Sequence, residues 1–83
     1  MVSSWTQFAG LCKKQGYPKK DIDLFRKAKE FAEKRFKEAK RLSGESQIDH
    51  NLEVGRILVE NKLFAEVVIA GLLSKIEDYV KHE

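Results

Sequence analysis

Residues 21–42 read DIDLFRKAKEFAEKRFKEAKRL, and this stretch decides the fold class. Apolar residues recur there every three or four positions, and most of the others are charged, which is the pattern of a long amphipathic helix. We therefore expect a helix from about Asp21 to Leu42, with Asp21 as its N-cap. Its expected core stripe is Ile22, Phe25, Ala28, Phe31, Ala32, Phe36 and Ala39.

Three shorter helices are expected around this one. Residues 1–16 contain a short helix from about Ser4 to Lys14 that Gly16 ends. After a polar loop at 43–47, a helix over 50–61 has Asp49 as its expected N-cap, and a last helix covers 64–81. The last helix is apolar on nearly all sides from Val67 to Leu73, which favours a central position. The expected fold is an all-α bundle of about four helices forming one domain over 1–83. Its expected buried residues outside 21–42 are Trp5, Phe8, Leu11, Cys12, Leu52, Ile57, Leu58, Val67, Val68, Gly71, Leu72, Ile76, Tyr79 and Val80.

Size and composition narrow the class of protein. A chain of 83 residues supports one small core. Its 42% hydrophobic and 35% charged residues indicate a globular protein, and the apolar run 67–73 is far shorter than a membrane span. The single cysteine excludes a disulfide framework within the chain, and residues 1–4 lack the charged and apolar pattern of a signal peptide. We therefore expect a cytoplasmic location, with no membrane partner.

Charge is unevenly distributed along the chain. Residues 19–41 contain ten basic and five acidic side chains, whereas residues 42–83 contain four basic and eight acidic ones. The basic segment 19–41 is compatible with binding nucleic acid or another polyanion. The simpler interpretation is an amphipathic helix whose charges only contact solvent. Because the phenylalanines are expected in the core, such a binder would lack aromatic side chains for base stacking.

Residues suited to catalysis are sparse. His82 is close to the end of the chain, and His50 has no metal-ligand partners at a recognisable spacing. Glu77 and Asp78 are adjacent and so diverge by about 100° on a helix. Cys12 is on the expected core face of the first helix, where a buried and unreactive thiol is expected. We therefore expect no catalytic residue, no metal site and no cofactor.

One loop has the composition of a phosphate site. A basic helix end runs into a Ser-Gly turn, whose backbone amides are suited to hold a phosphate beside cationic side chains. The alternative is structural, because cations stabilise a helix C-terminus and glycine commonly ends a helix. The candidate phosphate ligands are Lys40, Arg41, Ser43, Gly44 and His50.

Three segments resemble the N-terminal part of the HD hydrolase domain of RelA/SpoT-type alarmone enzymes. They are Lys27–Glu33, Lys40–His50 and Ile69–Leu73, which are similar in order and spacing to the family patterns A-x-E-F-A-E, K-R-K-S-G-E-P-Y-I-x-H-P and I-A-A-L-L-H-D. The resemblance covers about residues 21–78. It implies a helical HD-type domain that removes the 3′-pyrophosphate of guanosine tetraphosphate with a bound manganese ion.

The resemblance also implies that the catalytic site is degenerate. His50 matches the family's first metal-binding histidine, whereas the following His-Asp pair falls on Ser74 and Lys75. Arg41 matches a phosphate-binding arginine, and Asn51 stands where the family has proline.

The expected function is therefore a truncated, non-catalytic binding or regulatory module. Such a module would act by self-association or by docking on a protein partner. The alternatives are a polyanion binder and a guanine-nucleotide sensor without hydrolysis.

Overall fold

The computed structural model describes residues 5–36 and 46–74. Four helices occupy this part of the chain: α1 (Trp5–Lys14), α2 (Lys19–Phe36), α3 (Gln47–Glu60) and α4 (Ala65–Leu72). α4 packs against both α2 and α3, and α1 also packs against α2 and α3. The all-α prediction is confirmed.

The core is built from one face of each helix. Phe8 and Phe25 are fully buried, with ring centroids 6.2 Å apart in an edge-on arrangement, and Tyr17 stacks edge-on with Phe25 at 5.6 Å. Gly55 lets α3 approach these rings, because an added Cβ would meet Leu72 at 3.0 Å and Phe8 at 3.1 Å. The buried cluster consists of Phe8, Cys12, Ile22, Phe25, Ala28, Leu52, Val59, Val68 and Leu72.

Both predicted N-caps were wrong. α2 begins at Lys19, because the carbonyl of Pro18 accepts hydrogen bonds from the amides of Asp21 and Ile22. Asp21 is therefore in the first helical turn, where its charge complements the helix dipole. α3 begins at Gln47, because the extended Ser46 caps it and its hydroxyl accepts from the amide of Asp49 at 3.1 Å.

The ends of the helices also differ from the prediction. Gly16 has φ +93° and ends α1 as expected. The helix predicted over 64–81 instead ends at Leu72, and the amide of Ser74 donates to the carbonyl of Gly71 in a tighter turn. Asn51 of α3 donates to the carbonyls of Leu72 and Ser74, which would accept intrahelical bonds if α4 continued. The predicted helical segments 37–42 and 75–81 lie outside the described residues.

Three side chains predicted for the core are exposed. Phe31 is 45% exposed, Ile57 47% and Val67 39%. The helical repeat explains Phe31, because six residues after Phe25 correspond to about 240° around the axis, far from the stripe of Ile22, Ala32 and Phe36. The same reasoning places Ile57 and Val67 on the outer side of their helices.

Side chains from the turn after α1 fix it to the end of α3. The amide of the Gln15 side chain donates to the carbonyls of Val59 and Glu60, at 3.2 and 3.0 Å. The hydroxyl of Tyr17 donates to the carbonyl of Leu63 at 2.7 Å. The bond to Glu60 satisfies a carbonyl that the last turn of α3 leaves without an intrahelical partner, and Leu63 lies in the turn that follows α3. These bonds hold the turn between α3 and α4 in a fixed position.

The structure gives a definite prediction for Cys12. Burial raises the pKa of its thiol from 9.0 to about 12, as expected for a buried, unreactive cysteine. The unfolded chain then loses its thiol proton near pH 9 and the folded chain near pH 12. The contribution to stability is complete below pH 9 and is lost as the pH rises towards 12.

We therefore expect iodoacetamide at pH 8 to alkylate the folded protein about 1000-fold more slowly than the chain in guanidinium, given the difference in thiolate fraction. The unfolding free energy of the wild type should fall between pH 8 and pH 10.5, and this fall should be smaller in the Cys12→Ala variant. Equal alkylation rates in the two states would contradict this assignment.

Candidate functional site

Most of the candidate phosphate site lies outside the described residues. Lys40, Arg41, Ser43 and Gly44 are in this group. His50 is described, and it is a half-buried residue in the first turn of α3. Whether these five residues converge therefore stays a prediction.

The residue after His50 joins two helices. The side-chain amide of the fully buried Asn51 donates to the carbonyls of Leu72 and Ser74, both at 2.9 Å. Its Oδ1 accepts from the side-chain amide of the buried Gln47, also at 2.9 Å. All hydrogen-bonding atoms of the Asn51 side chain are thus used to fix the start of α3 to the end of α4. Sequence reasoning treated Asn51 only as a departure from the family proline and missed this role.

Two acidic side chains of α3, Glu53 and Glu60, share one arginine of the same helix as an ion-pair partner. The guanidinium of Arg56 donates to Glu60 at 2.7 Å and through Nε to Glu53 at 2.9 Å, with a further short contact from Nη2 to Glu53. These hydrogen bonds, with Glu53 the stronger partner, raise the pKa of Arg56 above its ordinary value. This cluster is local and lies within one helix.

α3 and α4 together carry an uncharged apolar surface. Gly71 of α4 lies against α3, where an added Cβ would meet Leu58 at 2.6 Å and Val54 at 3.3 Å. Ile57 is one turn from Val54, and Val67 is one turn before Gly71, so their positions border the same contact. Phe64, which caps α4, is 79% exposed. We call Val54, Ile57, Leu63, Phe64 and Val67 the α3–α4 apolar surface.

α2 carries a second exposed surface of different character. Phe31 is half-exposed, and the guanidinium of Arg35 lies 4.0 Å from its ring centroid. Leu24, one heptad earlier, is 46% exposed. We call Lys20, Leu24, Lys27, Phe31, Lys34 and Arg35 the basic–aromatic face. Seven-residue spacing signals this face, because residues 20, 27 and 34 align on a helix, as do residues 24 and 31.

Comparisons with known proteins assign no family. No protein-family model matches the sequence, and no curated protein matches it significantly. Within residues 5–36 and 46–74, no group of three or more His, Cys, Asp or Glu side chains is placed to hold a metal ion. No helix in the same ranges is long and apolar enough to cross a membrane.

Proposed function

We propose that the protein is a non-catalytic helical binding module, derived from an HD-type domain, that self-associates through its α3–α4 apolar surface. The observation that carries this proposal is that three large apolar side chains of two adjacent helices are exposed. They are Ile57 of α3, and Phe64 and Val67 at the start of α4. Exposed apolar side chains of this kind are typical of surfaces that become covered by a protein.

The resemblance to the RelA/SpoT-type hydrolase domain supports the non-catalytic part of the proposal. The family's metal-binding His-Asp pair corresponds to Ser74 and Lys75. A serine hydroxyl is a poor ligand for a divalent ion, and a lysine places a positive charge where that ion would bind. The carbonyl of Ser74 accepts a hydrogen bond from Asn51, next to His50. This hydrogen bond brings Ser74 close to the residue that follows His50. The family has a metal-binding histidine at this position, and this chain has a serine.

The charge of the surface favours a second copy of the chain as the occupant. Val54, Ile57, Leu63, Phe64 and Val67 are all uncharged. Two copies related by a twofold axis would therefore bring no like charges together at the centre of the contact. The neighbouring charges are of both signs, with Glu60 and Glu66 on one hand and Lys62 on the other. A rim of this composition is compatible with a copy of itself.

Placing charge on the surface tests the proposal. In the double variant Ile57→Glu/Val67→Glu, dimerisation should bury or juxtapose carboxylates, so we expect the dimer dissociation constant to rise at least about 30-fold. Sedimentation velocity over a range of protein concentrations measures this change. Leu24→Glu is the matched control, because Leu24 and Ile57 are 46% and 47% exposed and Leu24 is on α2.

Two results would contradict the proposed function. One is a wild-type protein that sediments as a monomer at every concentration. The other is a loss of association in Leu24→Glu equal to that in the double variant. Circular dichroism of each variant establishes that the helices are retained.

A further inference from the structure

The basic–aromatic face of α2 has a regular arrangement. Lys20, Lys27 and Lys34 are seven residues apart and so lie along one line of the helix, which extends over about 21 Å. Leu24 and Phe31 follow a parallel line beside it, with the same spacing. This geometry produces a row of cations next to a row of exposed apolar side chains.

The cations of this face are not used in ion pairs between described residues. Three acids of α2 pair with other cations of the same helix: Asp23 with Lys19 and Arg26, Glu30 with Arg26, and Glu33 with Lys29, at 3.2 to 3.9 Å. None of the described ion pairs includes Lys20, Lys27, Lys34 or Arg35. Among the described residues, the four cations of this face are therefore left to bind an external anion, whereas Lys19, Arg26 and Lys29 are paired.

Phe31 adds a second kind of contact at the end of this row. Its half-exposed ring is covered on one side by the planar guanidinium of Arg35. An open cavity of about 670 Å³ adjoins the ring, and its described lining residues are Glu30, Phe31, Glu33, Lys34 and Arg35. Aromatic rings and arginine planes are the groups on which unpaired bases stack.

We propose that the basic–aromatic face binds single-stranded nucleic acid. Lys20, Lys27, Lys34 and the edge of the Arg35 guanidinium contact phosphates along the strand, and a base stacks against Phe31 or the outer plane of Arg35. Single strands are favoured over duplexes because only unpaired bases offer an accessible ring face. They are favoured over acidic peptides because carboxylates use the cations alone and gain nothing from an aromatic platform. This inference does not depend on self-association, which uses a different surface.

The test is fluorescence anisotropy with a fluorescein-labelled, mixed-sequence RNA strand of about 12 nucleotides, a length within single-strand site sizes. Four cations that each neutralise one phosphate predict a slope of log K against log salt of about −3. The triple variant Lys20→Gln/Lys27→Gln/Lys34→Gln should reduce the slope to about −1. The control Lys13→Gln/Lys14→Gln/Lys62→Gln removes the same charge from exposed lysines outside α2 and should retain most of the wild-type slope.

Phe31→Leu isolates the stacking contact. It keeps an apolar side chain on the helix but removes the ring, so affinity should fall about 5- to 100-fold with the salt slope unchanged. Phe31→Tyr, which retains an aromatic ring at this position, should keep most of the wild-type affinity. Circular dichroism verifies that each variant is folded.

Several results would overturn the proposal. They are the absence of RNA binding at low salt, equal losses in the two triple variants, and wild-type affinity in Phe31→Leu. Binding of a duplex of the same length, of polyglutamate, or of anionic phosphatidylserine vesicles as tightly as the single strand would also overturn it.

Discussion

Replacing Phe8 by alanine should cause a large loss in the stability of the fold. The ring is fully buried, with its centroid 5.4 Å from that of Trp5 and 6.2 Å from that of Phe25, and it packs where Gly55 lets α3 approach α1. Truncation of a buried phenylalanine costs about 3–5 kcal/mol. A chain of this length has a total unfolding free energy of about 4–12 kcal/mol. The variant is therefore expected to lose at least about a quarter of its unfolding free energy, and to be unfolded at 25 °C if the total lies at the lower end of this range.

Guanidinium denaturation followed by circular dichroism measures this loss. Phe64→Ala is the matched control. At protein concentrations low enough for the chain to be monomeric, the same substitution at a 79% exposed side chain should change the unfolding free energy by less than about 0.5 kcal/mol. Phe8→Leu keeps most of the volume and should retain a cooperative transition. If Phe8→Ala and Phe64→Ala unfold at the same denaturant concentration, the core is not organised around Phe8.

The second large effect is expected at Asn51. In Asn51→Asp an oxygen replaces the nitrogen that donates to the carbonyls of Leu72 and Ser74. The variant therefore loses one buried and one partly buried hydrogen bond and directs a carboxylate at two carbonyl oxygens. Each unsatisfied buried group costs about 1–3 kcal/mol. We expect a loss of about 3 kcal/mol or more in unfolding free energy.

A control of the same residue type is available in Asn61. Its side-chain amide donates to the carbonyl of Ile57 within its own helix, and it is exposed to solvent. Asn61→Asp should cost less than about 1 kcal/mol, because water replaces the lost bond. Equal denaturation midpoints for Asn51→Asp and Asn61→Asp would show that Asn51 does not fix α3 to α4.

The core of α2 shows what helical periodicity predicts and where it fails. Ile22, Phe25, Ala28, Ala32 and Phe36 were predicted for the buried stripe, and all five are buried. Phe31 was predicted with them, because three phenylalanines in one amphipathic helix suggest one face. Its angular position contradicts this, and hydrophobicity alone does not distinguish a core side from a binding side. The error also led to the expectation that no aromatic side chain is available for base stacking.

The caps and the Asn51 contacts show a second kind of feature that local sequence patterns do not predict. Ser46 and Asp49 are both good capping residues. The choice between them depends on the residue at which the backbone changes from extended to helical. The bonds from Asn51 to Leu72 and Ser74 join positions 21 and 23 residues apart. Local patterns do not encode such a pairing, so the end of α4 at Leu72 was not foreseen. Of the predicted phosphate ligands, His50 alone is described, and the site they would form stays a prediction.

Self-association through the α3–α4 apolar surface is the central claim, and its location is measured directly by amide NMR spectra recorded on dilution. Between about 1 mM and 20 μM protein, a range suited to micromolar association, we predict shifts at Val54, Ile57, Phe64 and Val67. The amides of Lys20, Lys27 and Lys34 should remain unchanged over the same range. Spectra that do not change on dilution, or changes confined to α2, would contradict the account.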